Sequence, residues 1–240
     1  MCCCMTAALR GFPETFPVRD DGRRPWRYRI VSATTNVALA LWFGRSLRIE
    51  GVDRIPEHGP LLMVCNHLSN VDPFFFGARV PGTMFCMAKR EIFAWNPLIA
   101  WLLGGCNCFP VQRGAPDRAA LRTSIALLAH GGRLLIFVEG TRARKPGMQA
   151  VETGVAFLAR RSGAQVQPVA VWGSENALGK GRALPRRATV HLRFGEPFTP
   201  ELPAGRHDDA ALAEQIALRI AALLPPPYRG VYGARLVKAG

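Results

Sequence analysis

The sequence is short of acidic residues, and it lacks the nucleophile motif of a common enzyme class. Only 17 of the 240 residues are Asp or Glu, against 31 Lys and Arg, so the formal net charge is +14. This imbalance predicts an anionic partner, namely membrane lipid, nucleic acid or a phosphorylated substrate. None of the six serines stands in a Gly-x-Ser-x-Gly motif, which argues against a serine hydrolase.

The seven cysteines lack the spacing of a zinc site. Three stand at positions 2–4, where they are either lipidated or upstream of a start at Met5. The others lie in apolar segments, where small buried thiols are common: Cys65, Cys86, Cys106 and Cys108. We therefore predict no metal site. We also expect no cofactor. No leader with an apolar core and a cleavage site precedes the domain, which favours a reducing, cytoplasmic setting.

The aromatic residues decide between the possible anionic partners. Nucleic-acid binders place aromatic residues among basic ones, where they serve as stacking platforms. Here residues 74–76, Trp95 and Trp101 lie in apolar runs instead. Membrane lipid is therefore the expected anionic partner, and we predict no nucleic acid.

At 49% hydrophobic residues, the chain can bury one sizeable core. Strands are predicted near residues 47–50, 61–65, 83–88, 107–111, 133–138, 166–171 and 189–194. Helices are predicted near residues 26–44, 73–80, 91–103, 117–130, 150–162 and 208–224. This alternation predicts an α/β fold, with a mainly parallel sheet flanked by helices. Gly131, Gly132 and Gly163 are expected at helix C-caps, and Asp208 or Asp209 at the last N-cap. Residues beyond 227 are expected to be irregular.

The first predicted helix has the character of a membrane-interface segment. Its apolar part, residues 30–43, would be about 21 Å long, less than the roughly 30 Å of a bilayer's hydrocarbon core. Arginines and aromatic residues flank it, as expected at headgroup level. We predict an interfacial helix, with a buried amphipathic core helix as the alternative. Residues 92–103 are a second candidate for lipid contact, or else a plain core helix.

A histidine and a carboxylate follow the second predicted strand, in the stretch Asn66-His67-x-Ser69-x-x-Asp72. An imidazole can take a proton from an alcohol near neutral pH, and a carboxylate on its other nitrogen stabilises the imidazolium. Five helical steps would leave the two side chains off a common face, so a bend is needed between them. Pro73 favours one, because it disfavours helical geometry at Asp72. The alternative is that Asp72 only caps the following helix.

Polar residues also follow the fifth predicted strand, as Glu139-Gly140-Thr141-Arg142. Ligands of open α/β sheets bind at the carboxyl ends of the strands, so we expect His67 and Glu139 at one crevice. A guanidinium can hold phosphate oxygens by two parallel bonds, so Arg142 suits a phosphate. An ordinary basic loop with a glycine turn is the alternative.

Two further segments are uninformative when taken singly. The stretch from Phe109 to Arg113 is apolar and ends in an arginine, as a core strand with a solvated end does. The stretch around Pro168 alternates apolar residues with others, and its proline indicates an edge strand or a strand start.

In this order and at these separations, the four segments resemble the glycerolipid acyltransferase family over roughly residues 45–175, a combination more specific than any one segment. The resemblance is greatest to the 1-acylglycerol-3-phosphate acyltransferases. It implies that His67 is the catalytic base and Asp72 its partner. It implies substrate-binding roles for Asn66, Ser69, Lys89, Phe109, Arg113, Glu139, Gly140, Thr141, Arg142 and Pro168. Val138 and Ala143 depart from the family, which usually has proline and serine there.

The resemblance also implies a reaction. A fatty acyl group would pass from acyl-CoA or acyl carrier protein to the free hydroxyl of 1-acylglycerol-3-phosphate, giving phosphatidic acid in phospholipid biosynthesis. Acyl-CoA or acyl carrier protein would be a co-substrate and not a cofactor. Acylation of another lyso-lipid, such as a lysophospholipid or an amino-acid lipid, is the alternative, and a non-catalytic basic membrane-binding protein is a third possibility.

The expected setting is an anionic membrane at its cytoplasmic face. We expect residues 1–44 to be an irregular N-terminus with a membrane-associating helix, residues 45–225 the acyltransferase domain, and residues 226–240 a C-terminal tail.

Overall fold

The computed structural model describes residues 26–77, 80, 82–112, 117–143, 147–178, 186–200 and 208–238. The strands are β1 (Leu47–Glu50), β2 (Leu61–Cys65), β3 (Met84–Lys89), β4 (Cys108–Val111), β5 (Arg133–Phe137), β6 (Gln165–Trp172) and β7 (Val190–Phe194). Within the described residues they form one seven-stranded sheet, in the order β1-β7-β6-β2-β5-β3-β4. Neighbouring strands run parallel, except β6 and β7. The predicted α/β fold with a mainly parallel sheet is confirmed.

Helices cover both faces of this sheet. They are α1 (Trp26–Phe43), α2 (Asp72–Gly77), α3 (Arg90–Trp95), α4 (Pro97–Gly105), α5 (Arg118–Ala129), α6 (Gly154–Ser162), α7 (Ser174–Ala177), α8 (Asp209–Leu223) and α9 (Gly233–Lys238). Alternate β2 residues point to opposite faces. Leu62 and Val64 join one buried cluster with residues of α5, α6 and α8. Leu61 and Met63 join a second cluster with Phe43 and with residues of α2 and α3.

The predicted caps of α6 and α8 are confirmed. The Asp208 carboxylate accepts from the amides of Ala210 and Ala211, which α8 leaves without backbone partners. Gly163 ends α6 at φ 63°, a left-handed conformation that glycine adopts at little cost.

The prediction of one helix near residues 91–103 is wrong, because the chain breaks at Asn96. Asn96 is extended, at φ −155° and ψ 132°, and its side chain accepts from the Leu98 amide to start α4. Pro97 is the first residue of α4. Proline disfavours helical geometry in the residue before it but fits the first turn, so α3 ends and α4 begins here.

The indication that Pro168 lies in an edge strand or at a strand start is also wrong. Pro168 lies inside β6, which pairs with β2 on one side and β7 on the other. The Pro168 carbonyl accepts from the Gly195 amide at 2.8 Å, just beyond the end of β7. In a strand, the N–H and the carbonyl of one residue point to the same side, so the hydrogen bond that proline cannot donate would lie on the β7 side. The pairing of β6 with β2 is therefore undisturbed.

Residues 228–238 are ordered, which corrects the expectation of an irregular end over the described residues. Pro226–Tyr228 and Gly230–Tyr232 form short 3-10 turns that lead into α9. Tyr232 is buried within the cluster that contains α5, α6 and α8. These turns are stabilised by contacts with distant residues, which local sequence patterns do not encode. We call residues 225–232 the C-terminal strap.

Helix α1 buries some of its apolar side chains and exposes others. Its buried residues are Tyr28, Val31 and Phe43. Trp26 and Leu41, in contrast, are 64% and 77% exposed, and α4 exposes Leu98 as well. In the part of the chain that the structure describes, every helix is too short or too polar to cross a lipid bilayer.

Candidate active site

His67 and Asp72 meet in a loop between β2 and α2. The His67 Nδ1 atom lies 2.8 Å from the Asp72 Oδ2 atom, and both residues are buried. Residues 66–69 have no regular structure, and a turn at 70–71 follows them before α2 begins. This is the bend that a direct contact between residues five positions apart requires. The His67 ring also stacks on Phe137, with ring centroids 4.0 Å apart.

The Asp72 carboxylate does not cap α2. Its Oδ2 atom accepts from the amides of Leu68 and Ser69, each at 2.8 Å, as well as facing the His67 ring. Its Oδ1 atom is buried and has no hydrogen-bond partner among the described residues. The carboxylate therefore reaches back to the His67 loop, and the interpretation of Asp72 as only a helix cap is wrong.

Asn66 and Ser69 hold the same loop against the sheet. The Asn66 amide group both donates to the Val171 carbonyl, at 2.8 Å, and accepts from the Val171 N–H, at 2.9 Å. The Ser69 hydroxyl donates to the Leu178 carbonyl at 2.6 Å. Their side-chain polar groups are thus engaged with the backbone, and these contacts set the position of His67 between them.

Glu139 leaves β5 next to His67, as expected for neighbouring parallel strands. Its Oε1 atom accepts from the His67 N–H and its Oε2 atom from the Gln149 N–H, both at 3.1 Å. Desolvation by burial raises the pKa of Glu139 from 4.5 to about 7. The two amide bonds lower this pKa and the Asp72 charge raises it, but burial has the largest effect.

The residues after Glu139 remain beside the site. The Ala143 N–H donates to the His67 carbonyl at 2.9 Å, so the chain around Arg142 runs along the His67 loop. Gly140 and Thr141 are exposed, and Arg142 is half-buried. Arg113, with residues 114–116, lies outside the described residues.

A cavity of about 320 Å³ opens beside His67. Apolar side chains from α1, α2, α3, α4, β3 and β4 line most of it, and Lys89 lies on its wall. The Lys89 side chain is about half exposed, with its Nζ atom 3.6 Å from the Glu91 carboxylate. A histidine with a buried carboxylate partner thus faces a largely apolar space.

Phe109 and Pro168 lie away from the cavity wall. Phe109 is buried in the cluster that contains α5, α6 and α8, on the opposite sheet face from α2 and α3. Pro168 pairs with Val64 in the sheet interior. The structure thus gives both residues packing environments, whereas His67, Asp72 and Glu139 form one hydrogen-bonded group.

Two contributors were not among the predicted site residues. Phe137, which stacks on His67, precedes Glu139 by two positions, and the period of a strand could have indicated its direction. Gln149 contributes its backbone N–H, which no side-chain pattern reveals. Among the described residues, no three His, Cys, Asp or Glu side chains are grouped so as to hold a metal ion.

Comparison with known proteins agrees with this fold and gives the family. A family model described as Acyltransferase matches residues 46–172. The lyso-ornithine lipid O-acyltransferase of Pseudomonas aeruginosa is 33% identical over 181 residues, which cover 68% of this chain and 67% of that protein. The 1-acyl-sn-glycerol-3-phosphate acyltransferase of Bacillus subtilis is 27% identical over 172 residues, covering 71% and 82% respectively.

A solved structure is also similar. The crystal structure of the 1-acyl-sn-glycerophosphate acyltransferase of Thermotoga maritima matches with a TM-score of 0.67 and 25% identity, over 82% of this chain and 78% of that one. The chain belongs to the acyltransferase family and is an O-acyltransferase. The expected resemblance to glycerolipid acyltransferases is confirmed. The alternative of a non-catalytic membrane-binding protein is wrong.

Proposed function

We propose that this enzyme transfers a fatty acyl group from an acyl thioester to the free hydroxyl of a lysophosphatidic acid type acceptor, giving phosphatidic acid. The observation that carries the proposal is the 2.8 Å contact between His67 and Asp72 beside an apolar cavity. The donor is acyl-CoA or acyl carrier protein.

His67 is the general base in this reaction. Its Nδ1 atom faces Asp72, so Nε2 is the nitrogen left for the acceptor hydroxyl. As Nε2 takes the hydroxyl proton, the acceptor oxygen attacks the thioester carbonyl carbon. The carbon–sulfur bond then breaks, the thiolate takes the proton from His67, and the products are an ester and a free thiol. Asp72 stabilises the imidazolium that exists between these steps.

The cavity holds the acyl chain of a substrate, because burying an alkyl chain against apolar side chains removes it from water. Lys89, on the cavity wall, and Arg142, beside the His67 loop, would then hold the acceptor phosphate. Among the described residues, no carboxylate lies within ion-pair distance of Arg142, which leaves its guanidinium free to bind phosphate.

The membrane-facing part of the enzyme is α1 together with α4; the rest of the predicted membrane-associating segment, residues 1–25, lies outside the described residues. Exposed apolar side chains on α1 and α4 would enter the lipid, while basic residues meet anionic headgroups. The anionic surface is the cytoplasmic leaflet in this proposal. Residues 45–225 are the acyltransferase domain, and the C-terminal strap packs onto it.

Another lyso-lipid is the second candidate acceptor, because the Pseudomonas aeruginosa relative is named for a lyso-ornithine lipid. The assay is acyl-CoA consumption by the purified protein with lysophosphatidic acid, lyso-ornithine lipid, a lysophospholipid and monoacylglycerol, with free thiol and lipid product both measured. We expect the highest kcat/KM with lysophosphatidic acid. A higher kcat/KM with lyso-ornithine lipid would move the assignment to that acceptor, and no thiol release with any acceptor or donor would contradict the proposal.

The phosphate assignment is tested with Arg142→Ala. Losing a charge-assisted bond costs about 1.5–3 kcal/mol, so the acceptor KM should rise about ten- to a hundredfold while the acyl-CoA KM stays unchanged. Monoacylglycerol, which lacks the phosphate, should lose little. Arg122→Ala, at an exposed position on α5, is the matched control. Equal losses with both acceptors would assign Arg142 a structural role.

A further inference from the structure

The C-terminal strap lies against the loop that holds Glu139. We infer that the strap positions His67 for catalysis, through residues 147–152 and the Glu139 carboxylate. This inference rests on the proposed role of His67 as the base. It assigns Gly230 and Tyr232 as positioning residues, although neither lies among the residues that line the cavity.

Three hydrogen bonds tie the strap to the loop, two of them between backbone groups. The Met148 N–H donates to the Tyr228 carbonyl at 3.0 Å, and the Val231 N–H donates to the Met148 carbonyl at 3.1 Å. The Val151 N–H donates to the Tyr232 hydroxyl at 3.0 Å. Tyr232 is 5% exposed, so its hydroxyl has a fixed place from which to accept this bond.

The amide that reaches the active site lies between these points. The Gln149 N–H donates to the Glu139 Oε2 atom, and the other Glu139 oxygen accepts from the His67 N–H. The Glu152 N–H donates to the Val138 carbonyl at 2.9 Å, which closes the loop onto the end of β5. Glu139 accepts one hydrogen bond from the loop and one from the His67 N–H. A shift of the loop would therefore move Glu139 and, with it, His67.

Gly230 packs directly against the loop backbone. Gly230 has a φ of 53°, and a Cβ atom there would lie 2.5 Å from the Met148 N atom and closer still to the Met148 carbonyl oxygen. From the opposite side, a Cβ atom on Gly147 would lie 3.1 Å from the Gly230 Cα atom. Any side chain at position 230 must therefore push the loop away from the strap.

A second connection runs through α7. The Tyr228 hydroxyl donates to the Glu175 Oε1 atom at 2.7 Å. Leu178, which follows α7, accepts the Ser69 hydroxyl bond that holds the His67 loop. The strap is therefore linked to His67 from two sides, by Glu139 and by Ser69.

The test compares Gly230→Ala with Gly233→Ala. Gly233 follows the strap at φ −56°, and a Cβ atom there meets only the Arg229 Cβ atom, at 3.6 Å. Both proteins are assayed with acyl-CoA and the lyso-lipid that the wild type turns over best, at a temperature well below both Tm values. We expect Gly230→Ala to lower kcat about tenfold or more with little change in either KM, because misplacement of a catalytic group costs rate. Gly233→Ala should retain the wild-type kcat.

A double-mutant cycle separates positioning from a general loss of structure. If the strap acts through Glu139, Gly230→Ala should lower kcat by less than about threefold in a Glu139→Gln background, where the link is already impaired. An equal fractional loss in both backgrounds would overturn the inference. So would a wild-type kcat in Gly230→Ala accompanied only by a lower Tm.

Tyr232→Phe provides the decisive variant if Gly230→Ala fails to fold. It keeps the buried ring and removes only the oxygen that accepts the Val151 bond, so kcat should fall about three- to tenfold. A wild-type kcat in Tyr232→Phe would then overturn the inference. His67→Ala is measured alongside: activity in that variant would refute the assignment of the base, whatever the strap variants show.

Discussion

At the residue scale, the rate should depend on the charge of Asp72. Asp72→Asn places an amide among three donors, namely the His67 ring and the amides of Leu68 and Ser69. We expect turnover to fall at least about a hundredfold, because the neutral side chain no longer stabilises the imidazolium. His67→Ala should be folded and inactive. Both are measured by thiol release at saturating substrate.

The control for this pair is Asp208→Asn, which changes an aspartate that only caps a helix. Asparagine caps about as well as aspartate, so turnover should be unchanged. Near-normal turnover in Asp72→Asn would show that its charge has no catalytic part. Appreciable turnover in His67→Ala would exclude His67 as the base.

Glu139 should make stability depend on pH. Its folded-state pKa is about 7 against an ordinary 4.5, so between these values the folded protein holds a proton that the unfolded chain has released. The stabilisation from this proton is complete below pH 4.5 and is lost as the pH rises through 7. Relative to Glu139→Gln, the wild type should lose on the order of 3 kcal/mol over this range.

Urea unfolding of both proteins at several pH values measures this difference. Comparing the two proteins cancels titrations that they share, and the Asp72 charge, which raises the pKa of Glu139, is present in both. A constant difference in the free energy of unfolding across the range would show that Glu139 is already ionised at pH 5.

At the scale of elements, α1 and α4 should provide membrane attachment. Ile30 and Leu98 are 51% and 64% exposed, and neither side chain is needed for core packing. The double variant Ile30→Ser and Leu98→Ser should bind anionic vesicles several-fold more weakly, because two apolar side chains no longer enter the lipid. Co-sedimentation with vesicles measures the effect.

Val231→Ser is the matched control, since Val231 is 58% exposed and lies outside both helices. It should leave vesicle binding unchanged. Equal loss in the control, or no loss in the double variant, would place the attachment surface elsewhere. Deleting residues 1–44 is a less specific test, because Tyr28 and Val31 also line the cavity.

At the scale of the whole molecule, the net charge of +14 should direct binding to anionic membranes. The protein should bind vesicles rich in phosphatidylglycerol more strongly than pure phosphatidylcholine vesicles. Raising the salt from about 0.05 M to about 0.5 M should weaken this binding without abolishing it, because screening acts on the charges and not on apolar insertion. Complete release by salt would mean that no apolar side chains insert.

Much of this architecture could be predicted from the sequence. The alternation of strand and helix patterns predicts the parallel sheet, because each element's period depends on its own residues. The short motifs also predict that His67, Asp72 and Glu139 converge, since the carboxyl ends of parallel strands lie at one edge. Pro97 shows where apolar patterns fail as predictors. The apolar pattern continues past this position, but the backbone preference of proline ends one helix and starts another.

Only the tertiary structure decides which atoms support the site. The bonds from Gln149 to Glu139 and from Val151 to Tyr232 are donated by backbone N–H groups, which nearly every residue carries and no motif marks. Pro168 can lie within β6 because β7 ends beside it. The residues around Pro168 carry no information on where that neighbouring strand ends. The sequence by itself determined the class of chemistry, because side-chain types are local; how the strap and loop hold that chemistry in place depends on contacts between distant residues.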